Sequence, residues 1–520
     1  MDPEVVNYHY CDNLNTHPLS PGTRVLVTGA NGYVAHRLIP ELVYRGYVVR
    51  CMFRNRSVLP ILSHPRIEVV FADCLNFVEL PPALEDVHTA YYLIHSMRDK
   101  QQEFIEKDQQ AASNFVETAE QSGVKRIIYL GGLGEKSEGL SDHLRSRQEV
   151  GRILTKSSVP AIKLRAAIIV GTGSTSYELM KSLALNNRWI PFLREFNSKC
   201  QPIAIRDVIK YLVGVLETPD LESRVYHIGG KDVMSYKDLL LKFANILHKR
   251  VRFFDVAWLP IPVEWLCRIY ACWLHLFISI PVNITSLLLS SLRSDVFCRE
   301  NHIADILPFE TLDFQTAVEW AQLKEAKSQV FSHWTDVPPE RMSGLMPLCK
   351  FESSDFEIDE HFLDISAPPE KIFSIICRIG GDNGWAHANL LWKIRGLIDR
   401  VIGGVGLNRG RRDPEKLRVG DSVDFWRVEN LVPDKELLLR SEMISPGLSW
   451  LQFELESVAP PPAPQSGGST RLTLRAHFIP KPFWGNLYWF SLSKFHTYIF
   501  KGMLESFRKE AIDDNVVPEP

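Results

Sequence analysis

Arg24-Val-Leu-Val-Thr-Gly-Ala-Asn-Gly-Tyr-Val-Ala35 reads as a buried strand, a glycine turn and the start of a helix. Arg24 to Thr28 is a β-branched and aliphatic run of the kind buried on both faces of a parallel sheet. Gly29 permits a sharp turn and Gly32 lets the backbone approach a pyrophosphate, while Tyr33 to Tyr44 has apolar residues at helical spacing. The amides that open such a helix face an anion. Ala35 stands where the third glycine of the usual fingerprint would be, a position that governs only how closely helix and strand pack. Gly29, Asn31, Gly32, Tyr33 and Val34 are therefore candidate dinucleotide-binding residues.

Reading outward, Tyr47 to Phe53 is a second strand that ends at Arg54-Asn55-Arg56. An NAD-binding protein carries an acidic residue near this point for the ribose 2′-hydroxyl. A guanidinium instead pairs with a 2′-phosphate, so Arg54 and Arg56 favour NADP over NAD, with a solvated strand end as the structural alternative. Ile67 to Phe71 is a third strand, followed by Asp73 and Cys74 near the expected adenine. Thr89 to Ile94 is a fourth, running into His95-Ser96. Arg126 to Leu130, ending at Gly131-Gly132, and Ala161 to Arg165 continue the series, with helical stretches at 102–121 and 143–156 between them. This alternation predicts an α/β doubly wound parallel sheet.

Residues 22 to 330 resemble the atypical and extended short-chain dehydrogenase/reductases, in particular a branch related to the NmrA-like and complex-I-associated NADP-binding proteins. The resemblance rests on Thr28-Gly-Ala-Asn-Gly-Tyr-Val34, Tyr91-Tyr-Leu-Ile-His-Ser-Met97, Val124-Lys-Arg-Ile-Ile-Tyr-Leu-Gly-Gly-Leu-Gly134, His143-Leu-Arg-Ser-Arg147 and Gln201-Pro-Ile-Ala-Ile-Arg-Asp-Val208. It implies a Rossmann domain with a substrate lobe around 177–300. It also implies cofactor contacts at the glycine loop, Arg54, Arg56, Asp73, Cys74, Ile94, His95, Ser96, Gly131, Gly132 and Arg147. Active reductases of this kind carry a tyrosine four residues before a lysine, one helical turn apart, so that the ammonium lowers the pKa of the phenol. Here His143 and Arg147 hold that spacing, and Gly131-Gly132-Leu133 replaces the usual serine. An imidazole can donate a proton near neutral pH and Arg147 can hold the nicotinamide ribose, but a guanidinium does not titrate. His143 is thus either a proton donor or an ordinary polar residue at a helix start.

The chain has 520 residues, 45% of them hydrophobic, which is ample for large cores and about three domains. A net charge of -3 gives no reason to expect a nucleic-acid partner. Nine cysteines without regular spacing predict neither a disulfide framework nor a metal site, and suit a reducing cytoplasm. Residues 1 to 20 read as a flexible tail. Ile269 to Leu292 is uncharged for 24 residues, long enough to span a membrane, but Pro281 and Asn283 interrupt it. Two short helices meeting at the proline are expected, covering the cleft or touching a membrane peripherally, with Trp258, Trp265, Tyr270 and Trp273 either walling an apolar pocket or forming plain core.

The Pro- and Gly-punctuated stretch 332–346 separates this region, 21–335, from a second domain, 350–512. Strand-like runs at 423–428, 436–442, 450–456 and 471–478 predict an antiparallel sheet, with a loop insert at 460–468. A closing helix carries Trp484, Leu487, Tyr488, Leu492, Phe495, Tyr498, Ile499, Met503 and Phe507 on one broad face. This half resembles an uncharacterised domain of the START-like (SRPBCC) or polyketide-cyclase-like superfamily, on Gly384-Trp385, Leu391-Trp-Lys-Ile-Arg-Gly396, Gly403-Gly404, Asn408-Arg-Gly-Arg-Arg-Asp-Pro414, Gly420-Asp421, Asp424-Phe-Trp-Arg-Val428 and Phe495-His496. The resemblance implies an α+β helix-grip cup for a lipophilic ligand. Arg409, Arg411, Arg412 and Asp413 form either an anion site or a solvated turn. The expected function is an NADP-dependent oxidoreductase or isomerase acting on a lipophilic small molecule; the alternative is a non-catalytic NADP sensor or scaffold.

Overall fold

The computed structural model describes residues 9–54, 64–94, 103–134, 142–192, 194–256, 263–275, 282–292, 294–327, 330, 348, 351, 356–407, 411–458, 469–481 and 483–512. One compact unit runs up to Glu340 and a second begins at Arg341. Arg56, His95, Ser96, Trp258, Pro281, Arg409, the stretch 332–346 and the insert 460–468 lie outside the described residues, as does the side chain of His143.

The first unit opens with β1 (Arg24–Thr28), α1 (Ala35–Tyr44), β2 (Val48–Phe53), β3 (Ile67–Phe71), β4 (Thr89–Tyr92), α2 (Glu103–Gln121), β5 (Arg126–Gly132), α3 (Asp142–Thr155) and β6 (Ala161–Ala166). There follow α4 (Thr175–Asn186), α5 (Ile205–Glu217), β7 (Val225–Ile228), α6 (Tyr236–Ile246), α7 (Val263–His275), α8 (Val282–Ser291) and α9 (Phe314–Ala326). The large sheet has the order β7-β6-β5-β4-β1-β2-β3, and every neighbouring pair is parallel. Val25 and Val27 pack into one core with α1 and α5, and Leu26 faces the opposite core with Ala90, Tyr92 and Ile127. Burial on both faces explains why β1 and β4, at the centre of the sheet, read as nearly unbroken apolar runs. Strand order reverses beside β1, the point at which doubly wound folds open a crevice at the carboxyl ends of their strands.

A second core gathers α4, α6, α7, α9 and Leu289 of α8. The uncharged stretch thus lies largely in two helices, α7 and α8, and α8 packs against α3. Among the described residues no helix is long and apolar enough to cross a membrane. Tyr270 is buried and stacks on Trp273 at 5.6 Å, but Trp265 is 63% exposed and walls no pocket. The reading of residues 1–20 as a loose tail fails for its described part. Tyr10, Cys11 and Leu14 enter the core, and the amides of Tyr10 and Cys11 donate to the buried Glu41 carboxylate at 2.7 and 3.3 Å. Arg45 then joins the carbonyls of Cys11 and Thr16 to the buried Glu217.

The second unit contains β8 (Glu357–Ile365), α10 (Pro369–Ile376), α11 (Asn389–Val401), β9 (Ser422–Val423), β10 (Trp426–Val432), β11 (Glu436–Ser441), β12 (Gly447–Val458), β13 (Ser469–Pro480) and α12 (Trp484–Ile512). Its sheet is antiparallel, in the order β8-β13-β12-β11-β10-β9, and α12 packs on β8 and β13. Phe500, Met503, Leu504 and Phe507 meet Phe453, Leu474 and Phe478 in the core. The broad apolar face read on α12 divides in two: its C-terminal half is core, whereas Trp484, Leu487, Phe495 and Tyr498 are all more than half exposed.

The run 423–428, read as one strand, is a hairpin that turns at Asp424-Phe425, pairing Val423 with Trp426 and Ser422 with Arg427. Asp424 has φ of 54°, and its carboxylate accepts from Trp385 Nε1 at 2.8 Å and Gly381 N at 3.1 Å. Trp426 joins the core while Arg427 pairs with the buried Glu442, Nε to Oε1 2.6 Å, so both faces of the hairpin are buried. Arg411, Arg412 and Asp413 form neither an anion site nor a solvated turn. Arg411 caps the carbonyls of Cys377 and Ile379 just past α10, Arg412 pairs with Asp421 at 3.0 Å, and Asp413 Oδ1 accepts from the amides of Glu415 and Lys416.

Burial lifts the Asp424 carboxyl from 3.8 to about 6, against the donors that favour its ionised form. The fold therefore prefers the neutral acid, a contribution complete below pH 3.8 and lost as pH rises through about 6. Asp424→Asn is expected to remove a stability loss of roughly 2–3 kcal/mol between about pH 4 and pH 7, read as the pH dependence of thermal unfolding followed by tryptophan fluorescence.

Candidate functional site

Thr28, the last residue of β1, joins the two strands that flank the crevice. Its Oγ1 donates to Tyr91 O and accepts from Leu93 N, both at 3.0 Å. Gly29 follows with φ of 61°, and a Cβ there would lie 3.3 Å from Leu93 O and 3.6 Å from Ile94 Cγ1. A side chain would be strained in this conformation and crowded by β4. Gly32 N donates to Gly29 O at 2.8 Å, closing the turn, and a Cβ on Gly32 would lie 3.0 Å from that oxygen.

No side chain caps the start of α1. Among the described residues, the N–H groups of Asn31, Tyr33 and Val34 have no acceptor. Unpaired amides at a helix N-terminus beside glycine-lined backbone fit a pyrophosphate. The loop is held from behind by Arg37, whose Nη1 donates to Tyr33 O at 3.0 Å and Nη2 to Thr172 O at 2.9 Å. The same guanidinium lies 3.8 Å from the centroid of the Tyr33 ring. The Tyr33 hydroxyl, pushed up to about 12 by burial, packs against Gly171, so this residue offers the loop its backbone rather than its phenol.

Around the loop, Arg54 directly follows β2 and is exposed. Asp73 follows β3, where its Oδ1 accepts from Leu75 N at 3.0 Å, shaping the turn. Cys74 is buried in the core, its thiol pushed up by desolvation, and its carbonyl accepts from Asn114 at 2.9 Å. Cys74 is therefore an inert packing thiol and offers the site only its backbone. Ile94 is half-buried over Gly29.

At the end of β5, Gly131 and Gly132 clear space for neighbours. A Cβ on Gly131 would lie 3.0 Å from Tyr129 Cε1, and one on Gly132 would lie 2.8 Å from Leu144 Cδ2. This absence of side chains lets α3 close on the strand. Arg147 Nη1 donates to Leu130 O at 3.2 Å, and Tyr129 Oη donates to Arg147 O at 3.1 Å. Arg147 Nε is buried with no acceptor among the described residues, a donor free to meet a ligand oxygen. His143 stands in the first turn of α3, one helical turn before Arg147. The structure thus gathers the glycine loop and Ile94 at β1 and β4, and Gly131, Gly132 and Arg147 at the adjoining β5.

A tyrosine four residues before a lysine does occur, at Tyr177 and Lys181 on α4. Tyr177 is fully buried with its ring 5.4 Å from Phe243, its hydroxyl pushed far up by desolvation, and Lys181 pairs with Glu325 at 2.8 Å. Tyr177 serves the second core, and Lys181 ties α4 to α9. Thr28 and Arg37 are the site residues that sequence reasoning missed; for Arg37 the signal was a basic residue within an apolar helical stretch.

Residues 29–185 match a family model described as NAD(P)H-binding, and residues 352–503 match one described as a protein of unknown function (DUF2867). The N-terminal unit accordingly combines a doubly wound parallel sheet with a segment, residues 29–185, that matches NAD(P)H-binding domains. The chain is similar to a 3-beta-hydroxysteroid dehydrogenase of Mycolicibacterium neoaurum, 30% identical over 20% of this chain and 31% of that protein. It is similar to the mitochondrial NADH dehydrogenase [ubiquinone] 1 alpha subcomplex subunit 9 of Dictyostelium discoideum, 25% identical over 46% of this chain and 70% of that protein. A ceramide reductase of Caulobacter vibrioides is 24% identical over 44% of this chain and 72% of its own length. The chain thus spans less than a third of the first of these relatives and about seven-tenths of the other two.

Gly32→Val would place branched carbons beside Gly29 O and over the open amides. It is expected to weaken nicotinamide dinucleotide binding by about a hundredfold or more, measured by fluorescence titration, with the circular dichroism spectrum unchanged.

Proposed function

We propose that the protein is an NADP-dependent oxidoreductase or isomerase acting on a lipophilic small molecule. The observation that carries this reading is the open row of amides at Asn31, Tyr33 and Val34 beside Gly29 and Gly32, at the point where strand order reverses. Arg54 supports NADP as the cofactor, because an exposed guanidinium at the end of β2 suits a 2′-phosphate, and the sequence has arginine there in place of an acid. Arg147 is the residue to hold the nicotinamide ribose, through a buried Nε that has no acceptor among the described residues. When bound, the cofactor supplies or accepts a hydride. His143 is assigned the proton transfer at the substrate oxygen, one helical turn from Arg147.

A lipophilic substrate is supported by the second core, whose helix α8 packs on α3, and by relatives named for a steroid and a ceramide. The C-terminal unit, an antiparallel sheet with one long helix across its face, is assigned a START-like helix-grip role holding a lipophilic ligand. Trp385, Trp392, Phe425 and Trp426 cluster there, and the Nε1 groups of Trp392 and Trp426 have no partner among the described residues. A cytoplasmic location accords with cysteines that lack disulfide spacing. The second reading, a non-catalytic NADP sensor or scaffold, is favoured by one observation: His143 and Arg147 stand where active relatives carry tyrosine and lysine.

Titration with NADPH and NADH, then incubation with a lipid extract while cofactor oxidation is followed, separates the two. Tight NADPH binding with oxidation supports the enzyme, binding without oxidation supports the sensor, and no binding removes both. Arg54→Asp is expected to weaken NADPH about tenfold relative to NADH, and an unchanged ratio would overturn the cofactor assignment. His143→Ala is expected to lower turnover of the oxidised substrate by roughly 10²–10⁴-fold with little change in NADPH affinity, measured by steady-state kinetics.

A further inference from the structure

Helix α11 buries one side and leaves the other uncovered. Trp392, Gly396 and Asp399 face inward. Leu390, Ile394, Leu397, Ile398 and Val401 recur at three- and four-residue steps on the outer side, followed by Ile402, with exposures from 46% at Ile394 to 72% at Val401. Scattered exposed aliphatics are ordinary on protein surfaces, but a continuous stripe of six marks an interaction surface. The start of α12 adds Phe483, Trp484, Leu487, Phe495 and Tyr498, each more than half exposed.

The two stripes are neighbours within the C-terminal unit. The loop 442–446 touches both helices: Arg395 donates to Ile444 O at 3.1 Å, Ile444 N donates to Asp399 at 2.8 Å, and Lys481 N donates to Pro446 O at 2.9 Å just before α12. The His387 ring, just before α11, lies 4.9 Å from the Tyr498 ring.

The charge carried by the two helical stretches is mostly of one sign, although β8, on which α12 packs, brings Asp359 to 3.6 Å from His496. Residues 387–407 carry Lys393, Arg395 and Arg400, and their one acid, Asp399, is buried and bonded to backbone amides. Residues 481–503 carry Lys481, Lys494 and Lys501 and no acid. The whole chain has a net charge of -3, so this cationic rim is a local departure from the average.

We propose that α11 and the N-terminal half of α12 form a docking surface for an anionic lipid bilayer. Aliphatic and aromatic side chains enter the interfacial layer, lying in its plane, while the lysines meet acidic headgroups. With 13 residues, α11 is too short to span a bilayer, which fits docking rather than insertion across it. A protein partner of this rim would have to supply the acidic groups that a phospholipid surface supplies everywhere. The surface lies wholly in the C-terminal unit and is independent of the NADP reading.

The test is sedimentation of the full chain with sucrose-loaded vesicles of phosphatidylcholine, alone or with about a third phosphatidylserine. The protein is expected to pellet with the anionic vesicles and to be released by salt. The double variant Leu397→Glu/Val401→Glu is expected to bind about tenfold more weakly or worse, with NADPH binding and thermal unfolding unchanged. Lys393→Ala/Lys494→Ala, which removes no apolar contact, is expected to weaken binding and flatten its salt dependence. It decides the matter if the first variant misfolds. No pelleting of the wild type with anionic vesicles, or pelleting that both variants leave unchanged, would overturn the proposal. So would gel filtration showing a wild-type dimer that Leu397→Glu/Val401→Glu dissolves while vesicle binding persists, since the face would then join two copies of this chain.

Discussion

The two hydrogen bonds of the Thr28 hydroxyl set the geometry on which the N-terminal unit depends. By donating to Tyr91 O and accepting from Leu93 N, one atom fixes the spacing of β1 and β4 where the order of strands reverses. Everything beyond it follows from that spacing. Gly29 turns with its missing side chain facing Leu93 and Ile94, α1 starts without a side-chain cap, and three amides have no acceptor among the described residues. A hydroxyl is required, since valine, of threonine's shape, can neither donate nor accept.

In both units, key buried carboxylates are paired inside the chain. Glu217 takes Arg45 and the Tyr47 hydroxyl, which tie the ends of α5 and α1 to the N-terminal segment. Glu442 takes Arg427, and Asp399 takes the amides of Gly406 and Ile444. Such groups add little net stability over an apolar core, yet removing one partner strands the other, so they hold the segments to a single arrangement. At Arg147, by comparison, Nε is buried with no acceptor among the described residues.

The parallel sheet was legible because its central strands β1, β4 and β5 are largely apolar on both faces, and because helices of recognisable period separate the later strands. Strand β7 escaped notice because four residues, Val-Tyr-His-Ile, carry too little pattern to stand apart from a loop. The glycine loop was legible for a local reason: its turn needs residues without side chains. Thr28 and Arg37 were not, since their acceptors, Tyr91 O and Thr172 O, lie 63 and 135 residues away. The turn at Asp424 is equally non-local, held by Trp385 and Gly381. Periodicity marked the apolar stripe of α12 correctly but carries no information on what covers it, so its exposed half passed for core. The N-terminal segment misled in the opposite way, because its few apolar residues dock through a carboxylate, Glu41, some 30 residues on.

Arg147 is clamped twice to β5, by its own guanidinium on Leu130 O and by the Tyr129 hydroxyl on its carbonyl. A long, flexible side chain ordinarily surrenders much rotational freedom when it captures a ligand, and that loss is subtracted from affinity. Here the freedom is given up during folding, before any ligand arrives. On the proposed reading of Arg147 as the ribose contact, its Nε, which has no acceptor among the described residues, waits in one orientation, so recognition there is a matter of fit rather than of search.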